Sequence, residues 1–123
     1  MVRSAVITDI WFVSGASLEA IGAGLGLCDV ESDAENYWEW VIGTVPGFPD
    51  TRLDITRTHT MLAGETNTRI FIWAGPPRVA FSTDLVELVA KHLRAMGIAP
   101  IHAGRWIYQR GNEFDLVVEK AIA

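Results

Sequence analysis

Three segments predict β-strands, and in the first two the side chains alternate between two faces. The first covers residues 5–13, the second begins at residue 53, and the third covers residues 69–74. In the first segment, one face carries Val6, Thr8, Ile10 and Phe12, and the other carries Ile7, Asp9, Trp11 and Val13. In the second, one face carries Leu53, Ile55, Arg57, His59 and Met61, and the other carries Asp54, Thr56, Thr58 and Thr60.

Two further segments place apolar residues at helical spacing. The first follows Ser17, whose hydroxyl can accept hydrogen bonds from first-turn amides, although its three glycines each cost about 1 kcal/mol relative to alanine. The second follows Ser82 or Thr83, and Gly97 is placed to end it. The apolar positions are Leu18, Ile21 and Leu25 in the first helix and Leu85, Leu88, Val89, Leu93 and Met96 in the second.

The middle of the chain is predicted as a loop and a helix. Residues 29–35 are interpreted as an acidic connection, and a short helix is predicted from Glu35 to about Ile42. The basis for that helix is the helical spacing of Tyr37, Trp40 and Val41. Turn-forming residues then end it, at Pro46, Gly47 and Pro49.

The C-terminal segment predicts a β-hairpin around Gly111-Asn112, since glycine suits a tight turn. A fourth strand starts at Ile98 or after Gly104, runs through residues 105–110 and returns through residues 113–119. That turn sets a register. It places Tyr108 opposite Asp115, Arg110 opposite Glu113, and Trp106 opposite Val117.

This order of elements predicts an α+β fold in a single globular domain of residues 1–123. The strands form an antiparallel sheet of about five strands with the helices on one face, in the ferredoxin-like split βαβ order with a C-terminal hairpin. The opposite face is left for a partner, for a second copy of the chain in a homodimer, or for solvent.

Composition agrees with a globular protein. Half of the 123 residues are apolar and one fifth are charged. No apolar run approaches the ~20 residues of a membrane span, and the first residues lack a secretory signal. Cys28 is the single cysteine, so no disulfide can form within the chain. We therefore expect a cytoplasmic protein with no membrane partner.

The charge is distributed unevenly along the chain. No lysine or arginine occurs from Ser4 to Asp50, and eight carboxylates against the single Arg3 give residues 1–51 a formal charge of −7. The remaining residues carry +2, so the net charge of −5 arises in the first part of the chain. A surface of one sign attracts a partner of the opposite sign and repels polyanions.

Known catalytic and cofactor signatures are not found in the sequence. The glycines at 22, 24 and 26 do not have the spacing of a dinucleotide-binding loop, and they fit a flexible or closely packed helix end instead. The three histidines, His59, His92 and His102, show no metal-ligand spacing with Cys28. We therefore predict no catalytic residue, no cofactor and no metal.

Nucleic acid is disfavoured as a partner. Aromatic residues on the predicted strands could stack on bases, but binding to phosphates depends mainly on lysine and arginine. This chain is net negative and has no basic run.

The acidic run from 29 to 39 contains the candidate binding residues. It lies beside three aromatic rings, and such rings dominate protein interfaces. The alternative interpretation is a solvated loop whose glutamates complement a helix dipole. The predicted partner contacts are Asp29, Glu31, Asp33, Glu35, Trp38 and Glu39.

Five segments of the chain resemble a group of small bacterial proteins. They are ENYWEW at 35–40, RTH at 57–59, TRIF at 68–71, GRWIY at 104–108 and GNEFD at 111–115. The group is that of immunity proteins from polymorphic-toxin and contact-dependent-inhibition systems, which bind and neutralise a cognate toxin domain in the cytoplasm. The resemblance implies a binding protein rather than an enzyme, but it assigns no toxin contact to a particular position.

The two lines of argument lead to one expectation and one alternative. Many such toxins are nucleases with basic active sites, so an acidic inhibitor can block the cleft and associate quickly. The alternative is a small dimeric enzyme or ligand-binding domain. It would use His59, His102, Arg105, Tyr108 and Asp115, provided that these side chains converge in one pocket.

Overall fold

The computed structural model describes residues 6–35, 38–58, 69–76, 78–108 and 114–122, and it describes no side chain for residues 58, 106–108 and 114–121. These residues form an α+β fold with a seven-stranded antiparallel sheet and two helices. The strands are β1 Asp9–Val13, β2 Cys28–Ala34, β3 Trp38–Val45, β4 Phe48–Thr58, β5 Arg69–Ala74, β6 His102–Tyr108 and β7 Phe114–Ala121. The helices are α1 Leu18–Gly24 and α2 Thr83–Ala95.

The strand order across the sheet is β2-β3-β4-β5-β1-β6-β7, and each neighbouring pair is antiparallel. The prediction of about five strands was therefore too low. The two additional strands, β2 and β3, come from the middle of the chain, where a loop and a helix were predicted. β2 is consequently the strand at one edge of the sheet.

Both helices pack on one face of the sheet. Alternate residues of each strand point to that face, and they form one core with the buried residues of the helices. The predicted helix caps are confirmed: Ser17 Oγ accepts from Ala20 N, and Ser82 Oγ accepts from Leu85 N. Gly97 follows α2 with φ of 79°, as a helix-ending glycine should. The buried residues of the sheet in this core are Ile10, Phe12, Val41, Val45, Leu53, Ile55, Ile70, Ile72, Ala74 and Ala103.

The glycines of α1 allow the two helices to approach closely. A Cβ on Gly24 would lie 2.7 Å from Met96 Sδ, closer than real Cβ contacts, and Gly26 has φ of 70°. A larger residue at position 24 would force the Met96 side chain to shift, and the left-handed backbone at position 26 favours glycine. The interpretation as a closely packed helix end agrees with this geometry.

The C-terminal hairpin forms with the predicted register over only part of its length. His102↔Ala121 through Arg105↔Val118 follow it, but a β-bulge between Arg105 and Trp106 shifts the remaining pairs by one residue. Tyr108 therefore lies opposite Phe114, not Asp115, and Trp106 lies opposite Leu116, not Val117. The predicted turn and the Arg110/Glu113 pair lie outside the described residues.

No helix among the described residues is long and apolar enough to cross a membrane.

Candidate partner-binding face

The face of the sheet opposite the helices, called the open face below, carries most of the aromatic side chains of the described strands. Cross-strand pairs place these residues side by side, since paired residues point to the same face. For example, Thr56 lies opposite both Trp40 and Phe71, and Trp11 lies opposite both Phe71 and His102. The rings on this face are Trp11, Trp38, Trp40, Phe71, Trp73 and His102.

At the β2 edge, three carboxylates stand beside two tryptophans. Asp33 pairs directly with Trp40, and Glu31 pairs with Ile42 one step along the same face. The hairpin closes where Glu35 N donates to Trp38 O at 2.7 Å. These five charged and aromatic residues are called the outer patch: Glu31, Asp33, Glu35, Trp38 and Trp40.

Two contacts within the outer patch hold its side chains in fixed positions relative to one another. Trp38 Nε1 donates to Glu35 Oε2 at 3.2 Å, so the carboxylate lies at the edge of the indole ring. The Trp38 and Trp40 rings are stacked, with centroids 6.2 Å apart and planes inclined by 24°. Trp38 remains 37% exposed, and every residue of β2 is exposed. The result is an exposed aromatic surface with carboxylates along one side.

Among the described residues, the outer patch makes one weak ion pair. Glu31 lies 3.9 Å from Arg52, and both side chains are exposed, so the attraction is weak. Asp33 accepts from its neighbour Ala34 N at 2.8 Å, and Glu35 from Trp38. Within the described residues, neither Asp33 nor Glu35 makes an ion pair with a lysine or arginine.

Two of the six predicted contacts occupy different positions from the rest. Glu39 points to the helix-bearing face, where its Oε1 accepts from Arg57 Nη1 at 2.9 Å. Arg57 is itself buried and also donates to the carbonyls of Ser14 and Ala16, which fixes the loop before α1. Asp29 lies in the irregular start of β2 with φ of 52°. The structure therefore brings together Glu31, Asp33, Glu35 and Trp38.

The prediction of a helix from Glu35 to Ile42 was wrong, and so was the interpretation of residues 29–35 as an acidic connection, because these segments contain β2 and β3. With Trp38 and Trp40 in a strand, both rings lie on the open face instead of one pointing to the core. Residues 38–45 alternate strictly, with Val41, Gly43 and Val45 buried on the other face. Trp40 was not a predicted contact, although strand periodicity would have placed it beside Trp38.

A second group of charged and aromatic residues lies at the centre of the open face. Trp73 is paired on one side with Asp9 and on the other with Asp54. The guanidinium of Arg78 lies 4.6 Å above the Trp73 ring, and its Nε is 3.4 Å from Asp9 Oδ2. We call this group the inner cluster: Asp9, Asp54, Trp73 and Arg78.

Burial governs the protonation of the inner carboxylates. Asp9 is 1% exposed and Asp54 is 7% exposed. Desolvation raises the pKa of both carboxyls above the usual value, and the nearby Arg78 opposes part of that rise. Thr8 Oγ1 donates to Asp9 at 2.9 Å, and Thr56 Oγ1 donates to Asp54 at 2.5 Å. None of the four residues of the inner cluster was a predicted site residue.

An open depression of about 130 Å³ lies where β2 and β3 meet the start of α1. Its lining includes the carboxylates of Glu19, Asp33 and Glu39. This volume is below the roughly 300 to 1,000 Å³ typical of small-molecule sites. The depression is therefore better suited to a single side chain of a partner than to a metabolite.

The residues of the alternative enzyme hypothesis are only partly described. His102 lies on the open face, where it stacks against Trp11 with centroids 6.0 Å apart. Arg105 is three positions further along β6, so strand alternation directs it to the other face. These two side chains do not converge. His59 and the side chains of Tyr108 and Asp115 lie outside the description.

Among the described residues, no group of three or more histidine, cysteine, aspartate or glutamate side chains is arranged to hold a metal ion. Comparison of the chain with protein-family models, with curated proteins and with solved structures finds no match.

Proposed function

We propose that this protein is an immunity protein, which binds a basic toxin domain through the outer patch and neutralises it. The observation that carries the proposal is the row of Glu31, Asp33 and Glu35 on an exposed edge strand beside the Trp38 and Trp40 rings. Aromatic anchors with charges around them are typical of protein interfaces. The resemblance to immunity proteins is the reason why the proposed partner is a toxin domain.

Charge supports a basic partner. Residues 4–50 contain no lysine or arginine, and the outer patch belongs to this segment. A nuclease that cleaves a polyanion needs a basic surface, so an acidic protein surface can compete for the same groups. Electrostatic attraction would also speed association, which suits an inhibitor that must act before the toxin damages its host.

The fold is consistent with a scaffold that presents this surface. We propose that strands β4-β5-β1-β6 with the two helices correspond to the ferredoxin-like unit expected from the sequence, extended by the β2–β3 hairpin and by β7. The neighbours of β1 are β5 and β6, which precede and follow α2. In this view, the hairpin bearing the outer patch is an addition at one edge.

The decisive experiment uses the toxin domain encoded by the neighbouring gene. Co-expression should restore growth of cells that produce the toxin, and calorimetry should show an affinity that falls as salt rises. The double variant Asp33→Asn/Glu35→Gln should weaken binding by about tenfold or more. A matched control, Asp84→Asn/Glu87→Gln, removes the same charge from exposed positions of α2 and should bind normally.

Failure to protect the cells or to bind the toxin domain would contradict the proposed function. Unchanged affinity in the Asp33→Asn/Glu35→Gln variant would instead contradict the proposed surface.

A further inference from the structure

We infer that the outer patch recognises an arginine side chain of the partner, with the guanidinium stacked on the Trp38–Trp40 rings and paired with Asp33 and Glu35. This inference rests on the proposed function, because it names the chemistry by which the toxin would be held. The ligand class is a planar guanidinium at an exposed protein surface.

The inner cluster provides an example of this contact on the same sheet face. There, Asp9 lies directly opposite Trp73 across two antiparallel strands, and Arg78 lies over the ring and beside the carboxylate. In the outer patch, Asp33 lies directly opposite Trp40 in the same kind of cross-strand pair. The inner pair therefore shows that this backbone arrangement accommodates a guanidinium.

The outer patch has two features that favour arginine over lysine. The rings of Trp38 and Trp40 are stacked with their planes inclined by only 24°, and a planar guanidinium can continue this stack on an outer ring face. Glu35 is held at the edge of the Trp38 ring by the indole N–H, and Asp33 stands beside Trp40. A stacked guanidinium can donate to carboxylates from its edge, whereas an ammonium is a strongly hydrated point charge.

The charge balance leaves a place for this cation. Glu31, Asp33 and Glu35 follow one another on the same face, and the ion pair found there among the described residues joins Glu31 to Arg52 at 3.9 Å. Among the described residues, no basic side chain pairs with Asp33 or Glu35. A partner's arginine would supply the charge that Arg78 supplies in the inner cluster.

The test uses argininamide as the probe and needs no toxin. The indole N–H signals of the ¹⁵N-labelled protein would be assigned with Trp38→Phe, Trp40→Phe and Trp73→Phe. On titration, the Trp38 and Trp40 signals should move, and the Trp73 signal should not, because Arg78 already covers that ring. Lysinamide at equal ionic strength should bind about threefold more weakly or worse.

Two charge variants complete the test. Asp33→Asn/Glu35→Gln should weaken argininamide binding by about three- to fivefold, and Asp84→Asn/Glu87→Gln should leave it unchanged. Equal binding of lysinamide, a response confined to Trp73, or no response at Trp38 and Trp40 would each overturn the inference. Unchanged thermal unfolding of each variant confirms that the comparison is made on folded protein.

The outcomes separate this inference from the proposed function. If argininamide fails to bind while the toxin domain is still neutralised, arginine recognition is wrong and the immunity function stands. If argininamide binds at Trp38 and Trp40 but the toxin domain is not neutralised, the site is correct and the proposed function is wrong.

Discussion

The inner cluster and the outer patch are built from the same kinds of side chain, but they differ in burial and in charge balance. In the inner cluster, Asp9 and Asp54 are almost fully buried, and Arg78 covers the ring of Trp73. In the outer patch, the carboxylates are exposed, and Trp38 keeps 37% of its surface accessible. The same pairing of tryptophan with carboxylate thus occurs in a buried form and in an exposed form.

The difference follows from position in the sheet. The inner cluster lies on three adjacent strands, β4, β5 and β1, so each carboxylate has a strand on both sides. Burial without a cation would be costly there, and the chain supplies one from the segment after β5. The outer patch lies at the β2 edge, where water solvates the carboxylates, so no cation from the same chain is needed. Stability accounts for the first arrangement, and the proposed binding of a partner would account for the second.

The largest expected effect comes from removing the cation of the inner cluster. Arg78→Met leaves the buried carboxylate of Asp9 without its neighbouring cation, and we expect a loss of about 2 to 3 kcal/mol of unfolding free energy at pH 7. This is below the full cost of an isolated buried charge, because Asp9 can take up a proton. Urea unfolding would measure the loss. Arg52→Met, which removes an exposed cation, should cost less than about 0.5 kcal/mol.

The loss in Arg78→Met should depend on pH with a definite sign. Because the folded pKa of Asp9 is raised above its unfolded value, the folded state binds more protons, and stability falls as pH rises above about 4. Without Arg78 the pKa rises further, so this fall becomes steeper. The difference between the two proteins should therefore be largest near neutral pH and shrink in acid, and a difference independent of pH would contradict this account.

A smaller effect is expected at Glu39, which was grouped with the partner contacts but lies on the other face. Glu39→Gln keeps a hydrogen bond to Arg57 but removes its negative charge, and we expect a loss of about 1 to 2 kcal/mol in unfolding free energy. Binding of the toxin domain and of argininamide should not change. A loss of binding with unchanged stability would show instead that Glu39 is a partner contact, as the sequence predicted.

Features of the fold that depend on local chemistry could be predicted from the sequence. The helix caps at Ser17 and Ser82 and the glycine after α2 are set by backbone groups within a few residues. The two faces of β1 were predicted from strand alternation alone: Ile10 and Phe12 enter the core, whereas Asp9 and Trp11 lie on the open face.

The β2–β3 hairpin could not be predicted in the same way. Each residue of β2 is exposed, and the alternation of its acidic residues with Val30, Ser32 and Ala34 also fits a solvated loop. Pro46-Gly47 was interpreted as the end of a helix, but it is a two-residue turn between β3 and β4, with Gly47 at φ of 89°. The helical spacing of Trp40 and Val41 with Tyr37 was coincidental. Burial alternates from Trp40 to Val45, but apolar and polar residue types do not, so the sequence did not show the strand pattern.

The inner cluster was also not predicted from the sequence, for a different reason. Asp9 and Asp54 meet Trp73 from opposite sides only because β5 lies between β4 and β1 in the sheet. The ferredoxin-like order expected from the sequence would place these three strands side by side, but the register that aligns Asp9 and Asp54 with Trp73 was not predicted. An aspartate within an otherwise apolar strand was the available clue, since such a buried carboxylate requires a partner.

The smallest expected change in stability separates the two regions most clearly. Asp33→Asn/Glu35→Gln removes two exposed charges from an edge strand that already carries Glu31, so unfolding free energy should change by less than about 0.5 kcal/mol. Relief of repulsion along the strand favours a slight gain. Thermal and urea unfolding would measure it beside the affinity for the toxin domain. A loss of affinity without a loss of stability is expected of a binding surface, whereas a large loss of stability would mean that the outer patch, like the inner cluster, serves the fold.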